Sequence, residues 1–457
     1  MPRDAASDAP RDSGGDRGPA PGSVARRIAF DVLDAVLVRR QPLAEAFDKH
    51  PALAGLAGRD RGFARHLTAT ALRRLGQIDR LIDLCLARPL PKDAQRVRHI
   101  LRLGICQLVF LATPAHAAVA SAVDLARQRR SAGHAALVNA VLRRLAREAS
   151  AMIAGDDAAR LNTPAWLWDS WTEAYGADVA RAIGEAHLSE APLDLTLNPA
   201  RTPARREAAA AALAAHCGAR RLCGDTLRIA GHAAVTELPG YADGAWWVQD
   251  AAAALPVRLL GRIAGKRVID LCAAPGGKTA QLAAAGAEVI AVDISPARLD
   301  RLGENLRRLH LQAALVAADA RRWRPDAPAD AVLVDVPCSS TGTIRRHPDV
   351  ARLKSPQDVA ALVRLQGELA AHAASLLRPG GTLVYCACSL QPEEGPGAVQ
   401  ALLRSGMPLA RRPVDPAEIG GLDELVDSAG DLRTLPCHLK GEGGLDGFYA
   451  ARLVLHR

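Results

Sequence analysis

The chain is 457 residues long, 49% hydrophobic and 23% charged, so at roughly 150 residues per domain it holds about three domains, and disorder throughout is excluded. The most apolar stretches, 105–113 and 117–126, are cut by Pro114 and His116 and fall short of the ~20 residues that a bilayer span requires. No apolar signal-peptide core precedes Ser23, which predicts a cytoplasmic protein whose nine Cys are thiols. Net charge is +9, and 52 of the 58 basic residues are Arg. That balance favours an anionic partner such as nucleic acid, but Arg and Ala enrichment also arises from GC-rich coding, so composition does not choose.

Residues 1–22 hold Pro, Gly, Asp, Arg and Ser with almost no large apolar side chain. Burial there cannot offset the entropy of ordering, which predicts a disordered tail. From Ser23, a candidate N-cap, apolar residues recur at Val24, Ile28, Val32, Leu33, Val36 and Leu37, the spacing of an amphipathic helix. Similar runs at Phe63–Leu75, Ile78–Leu86, Ala94–Phe110, Ala117–Arg127 and Ala135–Arg147 predict an all-helical domain over 23–150.

The texture changes over 151–240. Trp166, Trp168 and Trp171 open a linker helix, and short strands at Leu193–Asn198, Arg220–Leu222 and Thr226–Ile229 flank a helix at Arg205–His216. This predicts a small α+β, RRM-like module. Over 241–457, β-branched runs at Val268–Leu271, Glu288–Val292, Ala314–Ala317, Ala331–Asp335 and Thr382–Cys386 alternate with helical stretches. Such alternation predicts a Rossmann-like, doubly wound parallel sheet, with Gly447–Leu455 as an added edge strand.

Directly after the first of these strands come Cys272, Ala273, Ala274, Pro275, Gly276, Gly277, Lys278 and Thr279, and then a helix. In an open α/β sheet this turn faces the ligand cleft, where glycines admit close backbone approach and a helix N-terminus favours an anion. It is not a Walker A loop, because no Gly stands at its head. Asp293 ends the second strand, where an acidic residue can bind ribose hydroxyls. A nucleotide-like cofactor and a structural turn both remain open for this pattern alone. Asp270, Asp293, Asp319 and Asp335 all fall at or near strand ends, which places four carboxylates on one rim.

Cys338 follows the fourth strand in Asp335-Val-Pro-Cys-Ser-Ser-Thr, and Cys388 ends the fifth in Val384-Tyr-Cys-Ala-Cys-Ser. Neighbouring strands would bring both thiols over the loop. The other cysteines, Cys272 apart, read as buried apolar groups. Cys386 and Cys388 have no second His/Cys pair at metal spacing beyond the adjacent Cys437 and His438, so no metal is expected.

The stretch from Trp246-Trp-Val-Gln-Asp250 onward resembles the RNA cytosine-C5 methyltransferases. DLCAAPGGKT is similar to their S-adenosylmethionine loop, DVPCSSTGTIRRHPD to their Pro-Cys motif and CACSLQPEE to their nucleophile motif. The helical domain, with VNAVLRRL at 138–145, resembles the antiterminator NusB, and the pairing is similar to the RsmB (Sun) family of bacterial 16S ribosomal RNA methyltransferases. One segment departs from the pattern: Leu435–Lys440 stands where that family has a short Pro-Gly turn.

The resemblance implies S-adenosylmethionine as cofactor, with Cys272–Lys278 on its methionine part, Asp293 on the ribose and Asp319 near the adenine. It assigns attack on cytosine carbon 6 to Cys388, hydrogen bonding of the base to Asp335 and release to Cys338, with Lys278 beside the nucleophile. Arg345, Arg346 and His347 are expected to meet RNA. The implied partner is 16S ribosomal RNA or a small-subunit assembly intermediate, acted on by a monomer without membrane or metal. Another RNA substrate is an alternative. A DNA cytosine-C5 methyltransferase would attack with its Pro-Cys thiol and leave Cys388 without a task, and a non-catalytic antitermination-type protein would not need the loop and both thiols.

Overall fold

A computed structural model describes residues 22–129, 131–231 and 234–456. The expected tail therefore lies outside the described residues, Gly22 excepted. The chain divides into two compact units, one reaching residue 154 and the other running from 155 onward and including 72–77.

The first unit is helical, with helices Ser23–Leu37, Leu43–Asp48, Gly58–Arg73, Leu75–Cys85, Gln95–Ile105, Ala115–Gln128 and Ala135–Ile153. The apolar stripe read from sequence is the buried face of the first helix, where Ile28, Val32, Leu33 and Val36 are at most 1% exposed. Ser23 is not its cap: Gly22, at φ 73°, precedes it, and no side chain caps the helix. The run expected as Phe63–Leu75 breaks at Arg74. Helix Gln95–Ile105 continues as a π turn over Cys106–Phe110. A Cβ on its Gly104 would stand 2.7 Å from Leu142 Cδ1, so glycine permits the close approach of Ala135–Ile153.

The second unit opens with helices Ala158–Asn162, Ala165–Tyr175 and Ala177–His187. A four-stranded antiparallel sheet follows in the order β2-β3-β1-β4, with β1 Leu193–Leu197, β2 Arg220–Cys223, β3 Thr226–Ile229 and β4 Trp246–Val248. Helix Pro203–Cys217 packs Leu213 against Leu195, Leu197 and Leu227. The small sheet thus draws its fourth strand from beyond residue 240.

The large sheet runs β10-β12-β9-β8-β5-β6-β7, with β11 on β12. Its strands are β5 Arg267–Leu271, β6 Glu288–Asp293, β7 Ala314–Ala317, β8 Ala329–Asp335, β9 Leu377–Ala387, β10 Leu409–Arg411, β11 Leu432–Thr434 and β12 Phe448–Leu455. Strands β5 to β9 are parallel, while β12 and β10 are antiparallel additions. The segment expected as an edge strand is therefore interior, because β12 pairs with β9, β10 and β11. Alternation along the strands feeds two layers: Ile269, Val332 and Leu383 meet helix Pro356–Ser375, and Val268, Leu333 and Val384 meet helix Ala251–Arg258. Strand order reverses between β5 and β8, the switch point at which open α/β sheets place a ligand crevice.

Candidate active site

The loop after β5 is held open by backbone geometry. Cys272 sits at φ 60° and Gly276 at φ 102°, the latter in a region costly for any residue with a Cβ. A Cβ on Gly276 would also stand 2.6 Å from Leu302 Cγ, whereas one on Gly277 would meet only Gln249, at 3.4 Å. The indispensable glycine is thus Gly276. Helix Gly277–Ala284 begins there and directs its first amides back at the loop.

Asp293 is 2% exposed and braces this loop, accepting from the Ala274 amide at 3.1 Å and the Ser295 amide at 3.0 Å. The Ala273 amide donates to the Val292 carbonyl at 3.1 Å. Ile294 projects beside it, 70% exposed, an apolar platform that sequence reasoning passed over because an isolated exposed Ile has no signature. Asp319 lies two residues past β7, and hydrogen bonds from Arg321 hold its carboxyl down to about 2.

Asp270 is not on the rim. It is fully buried one residue inside β5 and accepts from Thr279 Oγ1 at 2.6 Å. Burial, with Asp335 and Asp293 nearby, pushes its carboxyl up to about 7. Burial and the carboxylates of Asp335, Asp293 and Asp270 likewise push the Cys272 thiol up to about 12. The Asp335 and Asp293 carboxylates thus lie close to Cys272 at the head of the loop, surroundings that suit a sulfonium cation.

Asp335 ends β8 and takes Lys278 Nζ on Oδ2 at 2.7 Å. Lys278 is almost buried, with its ammonium 4.7 Å from the centre of the Phe448 ring. Burial by itself would lower the proton affinity of Lys278; Asp335 outweighs it, and the net shift is upward. Cys386, fully buried, points its Sγ at Asp335 Oδ1 from 3.8 Å.

Adjacent strands β8 and β9 bring the two predicted thiols together: Cys338 Sγ and Cys388 Sγ are 3.4 Å apart. The hydrogen bond to Cys388 and burial push the Cys338 thiol well up. Cys388 is half-buried and lies 3.7 Å from Ser340 Oγ. Both loops are clasped by Glu394, which sequence reasoning quoted within a motif but gave no role. Its carboxylate, fully buried, accepts from the Ser339 amide at 2.8 Å, Ser339 Oγ and Ser389 Oγ at 2.5 Å each, and Gln366 Nε2 at 3.0 Å. Trp171 Nε1 donates to Gln391 Oε1 at 2.9 Å and so ties the linker helix to the same turn.

The basic triplet divides. Arg345 is 2% exposed and donates to Asp446 Oδ1 at 3.1 Å and the Gly443 carbonyl at 2.5 Å. Arg346 bonds Asp250, Asp446 at 3.0 Å and the Pro192 carbonyl at 3.0 Å. Both side chains are committed to buried carboxylates, Arg345 from the interior and Arg346 with 21% of its side chain still exposed, and His347 is exposed. Arg228 completes the cluster, pairing with Asp194 at 2.7 Å across β1 and β3 and donating to the Glu442 and Gly444 carbonyls. The unusual Leu435–Lys440 segment thus leads into a turn pinned by two buried arginines. Among the described residues no helix is long and apolar enough to cross a membrane, and no group of His, Cys, Asp or Glu is arranged to hold a metal ion.

Residues 257–454 match the 16S rRNA methyltransferase RsmB/F family and residues 23–147 the NusB family. The chain is 37% identical to ribosomal RNA small subunit methyltransferase B of Vibrio cholerae, over 86% of this chain and 89% of that protein. It is 38% identical to the protein of the same description from Pseudomonas putida, over 87% and 91%. Among solved structures, PH0851 superposes with a TM-score of 0.71 at 22% identity, over 95% of this chain and 99% of that one. NSun6 from Pyrococcus horikoshii superposes at 0.53 and 21% identity, over 64% and 98%. The structural likenesses speak for the fold; the sequence likeness, over more than four fifths of the chain and above 30% identity, carries the family. By that sequence likeness the chain belongs to the ribosomal RNA small subunit methyltransferase B family, whose members are S-adenosylmethionine-dependent methyltransferases.

Proposed function

We propose that the chain methylates carbon 5 of a cytosine in 16S ribosomal RNA, free or within a small-subunit assembly intermediate, through a covalent Cys388–carbon 6 adduct. The observation that carries this is the pair of thiols 3.4 Å apart at the ends of adjacent strands. A single-thiol, DNA-type mechanism has no use for the second. S-adenosylmethionine, when bound, supplies an electrophilic methyl group.

Residues Cys272–Lys278 hold its methionine part. Asp293, with Arg298 Nη1 3.5 Å from its Oδ2, keeps acceptor capacity on Oδ1 for a ribose hydroxyl, and Ile294 and Asp319 flank the adenine. Carbon 5 of cytosine is a poor nucleophile, and addition of the Cys388 thiolate to carbon 6 raises its electron density. Asp335, paired with Lys278, receives the hydrogen bond of the protonated N3 or exocyclic amine, charge that develops only after attack. The carbon 5 proton must leave before the Cys388–carbon 6 bond breaks, and Cys338 serves that release as base or promoter of elimination. The helical residues 23–150 and the small sheet share RNA docking, since a base-sized pocket alone cannot select one cytosine.

Tritium transfer from labelled S-adenosylmethionine to naked 16S transcript, and none to duplex DNA, is the expected result. Transfer to the duplex, or to neither, removes this reading.

A further inference from the structure

We infer that Glu394 is a positioning residue for the thiol pair, its buried carboxylate holding the Cys338 loop so that Cys388 is the more reactive of the two thiols. The inference rests on the proposed reading that Cys388 attacks. One carboxylate clasps the residue that follows each cysteine, Ser339 after Cys338 and Ser389 after Cys388. The clasp is unequal. Ser339 offers both its amide and its hydroxyl, so the anion is anchored to the backbone of the Cys338 loop, while Ser389 contributes a hydroxyl only. Two thiols at 3.4 Å can share one proton, and its residence is set by the charges at either end.

Those charges are opposite. Glu394 is anchored to the Cys338 loop through the Ser339 amide and hydroxyl, and it adds to the hydrogen bond to Cys388 and the burial that push the Cys338 thiol up. On the other side, the Lys278 ammonium bears on Cys388 and Cys386, although Asp335 takes up part of its field. Arg433 donates to the Ser389 carbonyl at 2.7 Å and adds positive charge on the Cys388 side of the clasp, and Tyr385 donates its hydroxyl to the Glu394 carbonyl at 2.7 Å. A full charge without solvent exposure is costly unless well bonded. Four hydrogen bonds meet that cost here, and an apolar or neutral residue would have sufficed had the turn needed only packing.

The test is limited alkylation of the full chain by iodoacetamide without RNA, with label on each cysteine counted by mass spectrometry. In the wild type the label falls mainly on Cys388. Glu394→Gln removes the charge and nearly keeps the shape, and should raise the Cys338:Cys388 label ratio at least threefold. Glu394→Asp keeps the charge and should keep the wild-type ratio. Equal labelling in the wild type, an unchanged ratio in folded Glu394→Gln, or a shift in Glu394→Asp as large as in Glu394→Gln each overturns the inference. If Glu394→Gln does not melt cooperatively, Glu394→Asp decides alone: the wild-type ratio supports the charge role and a threefold shift overturns it. Failure of the underlying reading looks different, as a covalent RNA adduct that persists in Cys388→Ala whatever the label ratio.

Discussion

Lys278 Nζ lies 2.7 Å from Asp335 Oδ2, a part-buried ion pair that joins the start of the helix after the cofactor loop to the end of β8. Its partners are unequally exposed, Lys278 at 9% and Asp335 at 32% of their side chains. Asp335→Ala leaves an ammonium stranded in the interior and should cost about 3 kcal/mol or more. Lys278→Met leaves a carboxylate that water reaches and should cost clearly less. Urea denaturation of both variants reads the difference, and equal losses would show that the pair is not organised by burial.

The thiols should differ in kind when substituted. Cys388→Ala should give no methylation and no covalent RNA adduct. Cys338→Ala should attack but release slowly, leaving a protein–RNA species that survives denaturing electrophoresis and disappears in the Cys338→Ala/Cys388→Ala double variant. An adduct in Cys388→Ala that depends on Cys338 reverses the roles.

Gly276 and Gly277 separate conformation from space. Gly276→Ala forces a Cβ to within 2.6 Å of Leu302 at φ 102° and should weaken S-adenosylmethionine binding by tenfold or more, by calorimetry. Gly277→Ala, with ordinary contact to Gln249, should stay within about threefold of wild type. Equal effects would mean that the loop is not set by the backbone at Gly276.

Arg346→Met should act on stability and leave RNA electrostatics alone. The substitution leaves two buried carboxylates, Asp250 and Asp446, to Arg345 alone and should cost about 3 kcal/mol. For the folded variant, the slope of log affinity for 16S RNA against log salt should match wild type, since no phosphate contact is lost. A slope reduced by about one would restore Arg346 to the RNA interface.

Asp270 makes stability fall as pH rises. Its carboxyl titrates near 7 when folded, against an ordinary value near 4, so between about pH 4 and 7 the folded state holds the extra proton. The protonated form is the favoured one, and its contribution is lost by the time pH passes 7. Asp270→Asn still accepts from Thr279 and should raise the melting temperature of the ligand-free protein by several degrees at pH 8, and by less at pH 5. An equal rise at both pH values would show that the group is not protonated on folding.

How much of this was legible from the chain alone follows the range of the interactions. The parallel strands, the loop after β5 and the Cys338 and Cys388 positions were readable because strand periodicity and turn chemistry lie within ten residues of themselves. The same local alternation could not show that Phe448–Leu455 is interior, because β10, Leu409–Arg411, which covers its far side, is three residues long and carries no pattern of its own. Charged residues were the least readable. Arg345, Arg346 and Glu394 look like solvated groups in a sequence, yet Arg345 and Glu394 are buried and Arg346 largely so, because partners 28 to about 150 residues away meet their charges. Asp270 and Gly276 were seen, but burial beneath Thr279 and the approach of Leu302 gave them their roles. The sequence by itself determined which segments form the sheet and which side chains stand at its rim. Only the tertiary structure decided which of those charges are paired, because the energy of a buried charge depends on what packs against it and not on its neighbours in the chain.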